Sequence, residues 1–414
     1  MNRTSLHPKV QARLQRYTTE HTNHYGVVPA APDESVKSLE EHGQRVDAAM
    51  IALGRLSASP ADGIMRFLRS RILSRQEALS SSGMEGTQST LDAILGLDSD
   101  SDADAQARQV RSYAMALDEL IPKAKKIGPA IFTPKLFQEL HQRVMAGMRD
   151  YKDVPGALRE TVVWIGPAGS DISYSTWNPP GPEHLEDCLA QTARYMQGNG
   201  NYVVSQPLLQ RIAIAHAHFE AVHPFLDGNG RVGRLLIPLM LVAEGHEPIY
   251  ISPWIEANKG AYYSGLKAAQ QQLDPAPLTG AIAEAIIETE AELKASEQAL
   301  GQLDAIWREK AQRDGVKLRR NSSADRILSI LTWLPVLSVK TASAALSVTA
   351  KAAGDGIDKL CDHGILREIT GQQRNRVFEA PDVMRVITRP FGSKPILPGE
   401  EIEPDDPEEA GWPV

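Results

Sequence analysis

His223-Pro224-Phe225-Leu226-Asp227-Gly228-Asn229-Gly230-Arg231-Val232-Gly233-Arg234 is the densest run of chemistry in the chain, and it lies between two apolar helical runs, 208–222 and 235–242. Gly228, Asn229 and Gly230 let the backbone bend so that several N–H groups converge. A helix starting just after them offers its free N–H groups and its positive dipole end to an anion. Arg231 and Arg234 fall three apart, on neighbouring helical positions, where guanidinium groups grip a polyphosphate through paired hydrogen bonds. Asp227, just before the anion seat, suits Mg²⁺. His223, four residues earlier, is placed to take a proton from an incoming hydroxyl. Each piece alone has an ordinary reading as a structural histidine, a plain turn or solvated arginines. Their conjunction on one loop between two helices is what points to phosphate chemistry.

Outward from this loop the pattern is mostly helical. Periodicity marks helices over about 105–126, 134–148, 184–197, 208–222, 230–244, 258–272 and 277–312, with Thr133 before Pro134 as an N-cap and first-turn proline. The stretch 155–180 differs, being rich in Pro and Gly around the β-leaning run Thr161-Val162-Val163-Trp164-Ile165, and predicts a hairpin flap. Residues 33–97 read as a helical region in which Leu39, Val46, Ala49, Met50 and Leu53, then Met65, Phe67, Leu68, Ile72 and Leu73, recur at helical spacing. Residues 1–32 read as an extended polar arm. Asp98, Asp100, Asp102 and Asp104 lack the glycine and glutamate of a calcium loop, which leaves a solvated acidic loop. The predicted organisation is an arm (1–32), a helical region (33–97), a core (98–312), a basic linker (313–323), a C-terminal module (324–390) and an acidic, disordered tail (391–414).

The glycine-rich stretch resembles the Fic motif, H-P-F-x-[DE]-G-N-G-R-x-x-R, and matches it at every defined position. Ala215-His216-Ala217-His218-Phe219-Glu220 resembles the helix that precedes the motif, Tyr262-Tyr263 the tyrosine pair that follows it, and Pro155-Gly156-x-x-Arg159 with Trp164-Ile165-Gly166 the family's flap. The resemblance implies a mainly α fold, a Fic-type helical core with a small β-hairpin flap. It implies a protein adenylyltransferase that moves AMP from ATP onto a Tyr, Thr or Ser hydroxyl of a target protein, or of itself, and releases pyrophosphate. His223 would be the base and Asp227 the Mg²⁺ ligand. Gly228, Asn229, Gly230, Arg231, Val232, Gly233 and Arg234 would hold ATP's phosphates, the first three through backbone and side-chain donors. Tyr262 and Tyr263 would line the adenine side, with Gln270 as a further nucleotide contact. Val163, Trp164, Ile165 and Gly166 would clamp the target polypeptide by strand-like pairing.

Ser81-Ser82-Gly83-Met84-Glu85-Gly86 resembles the family's inhibitory motif, [ST]-x-x-x-E-[GN]. The resemblance implies autoinhibition in which Glu85 pairs with Arg234 and occupies the γ-phosphate clamp, with Ser81 one turn earlier. Removal of AMP, or transfer of phosphate or phosphocholine, is the alternative chemistry on this fold, and intact Asp227, Gly228, Gly230 and Arg231 favour AMP. At the C-terminus two short helices, 340–345 and 350–363, precede strands near 364–366 and 376–378, the order of a winged helix-turn-helix. Lys351 and Lys359 are opposed there by Asp355, Asp358 and Asp362, so packing or protein docking is favoured over DNA. A DNA-binding regulator with a nucleotide-sensing Fic part is the rival class. The net charge of −8 argues against general nucleic-acid binding. Cys188 and Cys361 fit no metal spacing and read as thiols of a cytoplasmic protein; no signal peptide or membrane span is expected, and a homodimer is left open.

Overall fold

The computed structural model describes residues 1–32, 42–58, 68, 72–96, 105–146, 148, 151–198, 206–315, 318–371 and 374–400. The expectations placed on Leu39, Met65, Phe67, the acidic run 98–104 and the tail from 401 onward lie outside these residues. In chain order the elements are α1 (Pro8–Gln11), β1 (Leu14–Arg16), β2 (Tyr25–Val27), α2 (Gly43–Ala58), α3 (Leu73–Gly83), α4 (Leu91–Gly96), α5 (Ala105–Ile127), α6 (Pro134–Met145), α7 (Leu185–Met196), α8 (Leu208–Val222), α9 (Asn229–Ala243), α10 (Ser252–Ala257), α11 (Lys259–Gln272), α12 (Ala276–Arg313), α13 (Ser323–Leu328), β3 (Val336–Ser338), α14 (Val339–Leu346), α15 (Ala350–Asp362), β4 (Arg367–Glu368), β5 (Val377–Glu379) and α16 (Pro381–Ile387). The fold is mainly α, and no described helix is long and apolar enough to cross a membrane.

The chain divides into two units, residues 1–61 with 69–291, and residues 62–68 with 292–414. In the first, α8 and α9 are buried on nearly every side, their polar residues included. They pack on each other, with α7 and α11 against α8 and α5, α6 and α3 against α9. α6 starts as its sequence predicts: the Thr133 side chain accepts from Leu136 N at 3.1 Å and Pro134 fills the first turn.

Two segments depart from expectation. The arm 1–32 is not extended: α1 leads into an antiparallel hairpin, β1 on β2, in register Leu14 with Val27 and Arg16 with Tyr25. Leu6, Val10 and Val27 bury against Trp177 and Ala221, and that apolar burial is what orders the segment. The flap is not a ladder of two strands. Within it a single antiparallel bridge joins Ile165 to Trp177, with Ile165 N to Trp177 O at 2.9 Å. Pro167 follows directly on one side and Pro179 and Pro180 close the other, so few donors remain to extend the pairing.

The second unit has helix α13, strand β3, helices α14 and α15 and a returning pair β4 and β5, joined in an antiparallel sheet of order β3-β5-β4. Residues 324–334 read from the sequence as one helix, but α13 stops at Leu328; strand β3 was not foreseen. Gly356, which reads as a weak point in a helix, is where α15 crosses α13; a Cβ there would meet Ile327 Cδ1 at 2.8 Å.

Candidate active site

Helix α8 ends at His223 in a left-handed turn, φ 48° and ψ 61°, and α9 begins after Gly228, itself left-handed at φ 80°. The loop between is closed by Asn229, whose Oδ1 accepts from Phe225 N at 2.9 Å and whose Nδ2 donates to Phe225 O at 2.8 Å. The side chain expected to meet phosphate is thus spent on the loop's own shape, because a five-residue reversal leaves two backbone groups that only a neighbouring amide can pair. The backbone N–H groups of Asn229, Gly230 and Arg231 precede the first intrahelical bond, Val232 N to Gly228 O at 3.1 Å. They form the free positive end of a buried helix.

The two guanidinium groups are in opposite states. Arg231 is only 2% exposed, yet its contacts are long: 3.4 Å to Asp227 Oδ2 and 3.6 Å to Met148 Sδ, with Nε unpartnered among the described residues. A buried cation so poorly paired is a seat for an anion. Arg234 is equally buried but fully engaged. Its Nε donates to Ser81 Oγ at 2.9 Å, and Nη2 donates to Ser81 O at 2.8 Å and to Glu85 Oε1 at 2.7 Å. The Glu85 carboxylate, 32% exposed, lies over the start of α9, where a Cβ added to Gly230 would collide with it. Gly86 follows at φ 87°. Gly233 admits Glu220 in the same way. The Glu220 carboxyl is pushed up to about 7 by burial, with Arg234 drawing it down and Glu85 raising it. Val232 is buried in the core.

His223 is half-buried, and burial, reinforced by the Arg159 charge, pushes its imidazole down to about 4. The ring is therefore neutral at neutral pH, with a lone pair able to accept a proton. Asp227 has a side chain 51% exposed and accepts from Gly228 N at 2.6 Å.

Two residues that hold this loop were not singled out for that role. His141 on α6 stacks on Phe225, with centroids 3.9 Å apart. Its Nδ1 accepts from Gly156 N at 2.8 Å, which leaves Nε2–H to donate to the Asp227 carbonyl at 3.0 Å. Buried Arg159, noted only as part of the flap, meets carbonyls rather than carboxylates: Nε to His223 O at 2.8 Å, Nη1 to Thr161 O at 2.9 Å and Nη2 to Pro180 O at 2.6 Å. Its own N–H donates to Pro224 O at 3.0 Å. It therefore grips the backbone on both sides of the His223 turn. No sequence spacing announces either contact, since both join distant segments.

The remaining sequence candidates spread out. Tyr262 is buried and donates to His216 Nε2 at 2.7 Å, while Tyr263 stays exposed beside it. Gln270 donates to Ala217 O at 3.4 Å and lines an apolar cavity with Val27, Trp177 and His218, away from the loop residues. Trp164 Nε1 donates to Ser170 O at 3.0 Å, Val163 and Ile165 are half-buried, and Gly166 backs closely onto Ser175.

Parts of the chain, the site among them, match a known family. Residues 131–241 match the Fic/DOC family and residues 44–120 the Fic/DOC family N-terminal region. The protein adenylyltransferase Fic of Drosophila erecta is 28% identical over 193 residues, 43% of this chain and 36% of that protein. The protein adenylyltransferase fic-1 of Caenorhabditis briggsae is 32% identical over 131 residues, 32% of this chain and 23% of that protein. The chain spans about half or less of the length of these curated relatives. A crystal structure of a Fic family protein from Desulfovibrio desulfuricans aligns with a TM-score of 0.47 and 16% identity, over 81% of this chain and 95% of that one.

Proposed function

We propose, for a chain that carries a Fic domain and its N-terminal region, that it is a protein adenylyltransferase held in an inhibited state by its own helix α3. The observation that carries this reading is the contrast between Arg231, buried and under-paired, and Arg234, buried and occupied by Ser81 and Glu85. The first is a buried cation with donors left for a phosphate, and the second a phosphate seat filled by a carboxylate.

In the active state Glu85 leaves Arg234, and ATP's phosphates rest on the N–H groups of Asn229, Gly230 and Arg231 with both guanidinium groups around them. Neutral His223 accepts the proton of a target Tyr, Thr or Ser hydroxyl. The hydroxyl oxygen bonds to the α-phosphorus, the bond from that phosphorus to the bridging oxygen breaks, and pyrophosphate leaves. Placement and charge neutralisation supply most of the acceleration. Asp227 is the residue that would hold Mg²⁺. It is exposed, and no group of three His, Cys, Asp or Glu among the described residues forms a protein-only cation site. That suits an ion taken with the phosphates, whose charge it neutralises when bound. The flap and the adenine contacts at Tyr263 belong to the same reading, as does a winged-helix role for the second unit, which its element order supports.

The test is ATP labelled on its α-phosphate with the wild type, Glu85→Gly and His223→Ala in the Glu85→Gly background. Incorporation should rise in Glu85→Gly and vanish with His223→Ala. Label that is indifferent to His223 sinks the mechanism, and label that does not rise without Glu85 sinks the inhibition. The mass added to the product separates AMP from phosphate and phosphocholine.

A further inference from the structure

Residues 1–30 precede both family-matched regions, yet they are fastened to the flap along its length. The Met1 amino group donates to Ser175 Oγ at 3.0 Å and Tyr17 Oη to Pro179 O at 2.7 Å. Glu20 Oε2 accepts from Val162 N at 3.3 Å, and the His21 ring meets Trp164 edge-on with centroids 5.2 Å apart. Asn178 Nδ2 donates to Tyr25 O at 2.9 Å, and Val27 N donates to Asn178 O at 2.9 Å. Gly26 is required where the hairpin presses on the flap, since a Cβ there would collide with Pro179 O and the Tyr17 ring. Hairpin and flap thus form one continuous surface.

The N-terminal side of that surface is basic, beside exposed Glu160 and Asp171 of the flap. In a chain of net charge −8, residues 1–32 hold Arg3, Lys9, Arg13 and Arg16 against Glu20 alone. Arg3, Lys9 and Arg16 are exposed and have no carboxylate partner among the described residues; Arg3 lies over the Tyr25 ring, and Arg16 donates to the Thr22 carbonyl within the turn. Glu20 is turned to the flap backbone. A basic patch on an otherwise acidic protein draws a negatively charged partner.

We propose that the N-terminal hairpin is the outer wall of the target-docking surface and selects polypeptides with Asp and Glu beside the modified hydroxyl. This rests on the reading of the flap as the place where the target lies. Arg16 lies in the hairpin and Arg3 rests on its Tyr25 ring, so the contacts that fasten the hairpin to the flap hold these charges to that segment.

The experiment uses the full chain carrying Glu85→Gly and two short dye-labelled peptides with the same Tyr and Thr, one flanked by Asp and Glu, the other by Lys and Arg. AMP transfer is measured for each, and binding is measured separately by fluorescence anisotropy without nucleotide. The acidic peptide should have a KM about tenfold lower than the basic one, a preference that shrinks with rising salt. Arg3→Glu with Lys9→Glu, both on the surface, should abolish the preference while ATP affinity holds, and Arg3→Lys with Lys9→Arg should keep it. Equal KM for the two peptides, or a preference that survives charge reversal, overturns the proposal. So does tighter binding of a DNA duplex or of anionic vesicles than of the acidic peptide at the same salt. Absence of AMP transfer to either peptide, with the charge preference still present in anisotropy, sinks the enzymatic reading and leaves the docking surface standing.

Discussion

His223 sits in a backbone conformation that costs a non-glycine residue about 1–2 kcal/mol, so something must hold it there. Arg159 does, through the carbonyl of His223 itself and those of Val222 and Pro224 on either side. Arg159→Met should lower kcat about 10- to 100-fold with little change in KM for ATP, because a small misplacement of the base costs placement and not binding. It should also destabilise the fold by about 3 kcal/mol, read by urea unfolding, since buried carbonyls lose a charged donor. Arg159→Lys should recover little, for an ammonium cannot reach three carbonyls in a fork. An unchanged kcat in the Met variant removes the positioning role. The same turn makes a pH prediction. Burial places the folded His223 pKa near 4, below the ordinary value of about 6.5. The acid limb of kcat/KM should therefore fall near pH 4. Between 6.5 and 4 the unfolded chain binds more protons at this residue, so its contribution to stability rises with pH across that window. A limb near 6.5 in the Glu85→Gly enzyme contradicts it. At this scale the sequence already placed His223, Asp227, Arg231 and Arg234 together because they fall on one loop, whereas Arg159 and His141 reach it from other segments and became visible only in three dimensions.

At the scale of elements the decisive piece is α3, which ends at Glu85's turn and is fixed from its other end. Glu77, two turns before Glu85, is fully buried. It accepts from Ser252 N at 2.8 Å and Ser252 Oγ at 2.5 Å, at the start of α10, and from Tyr113 Oη at 3.2 Å on α5. Burial raises its carboxyl above the ordinary range and the Ser252 donors oppose that. Glu77→Ala leaves three buried donors unpaired, a loss of about 2–3 kcal/mol in the docking of α3. The expected outcome is a basal AMP transfer raised about 10- to 100-fold, toward that of Glu85→Gly, with faster amide exchange across 73–85. If exchange quickens and transfer does not, α3 is not the brake. The short Ser-x-x-x-Glu pattern was readable as a motif, and Ser81 in α3 and Glu85 in the turn after it meet the same guanidinium. Glu77 belongs to no pattern; its partners are more than 30 residues away in sequence, so one glutamate among many acidic residues carried no signal. The N-terminal hairpin escaped for a related reason: its strands are three residues each, too short to show alternation, and they are ordered by Trp177 and Ala221 from elsewhere.

For the whole molecule, helix positions followed closely from periodicity because the helices of the first unit are long and their buried faces are strongly apolar. Short elements did not follow: β3 spans three residues after Pro335, and α13 is one and a half turns. The charge balance carries one further prediction. Two arginines at the second unit's β4–β5 pair, Arg367 and Arg376, are engaged by the unit's own acids, as is Arg308. Arg367 pairs with Glu379, Arg376 with Asp358 at 3.3 Å, and Arg308 with Asp304 and Asp325. Helix α15, in the position of a reading helix, adds Asp355, Asp358 and Asp362 to Lys351 and Lys359. A surface that neutralises few phosphates releases few counterions, and its affinity for any duplex should be weaker than about 100 µM at physiological salt. Gel retardation of a random-sequence duplex by the full chain should show no shift at concentrations well below that, with or without ATP. Glu379→Gln with Asp358→Asn, which frees Arg367 and Arg376, should produce the first detectable salt-sensitive retention. A wild-type shift that persists as salt rises would mean that this unit reads DNA through contacts other than its wing, and would return the regulator reading to first place.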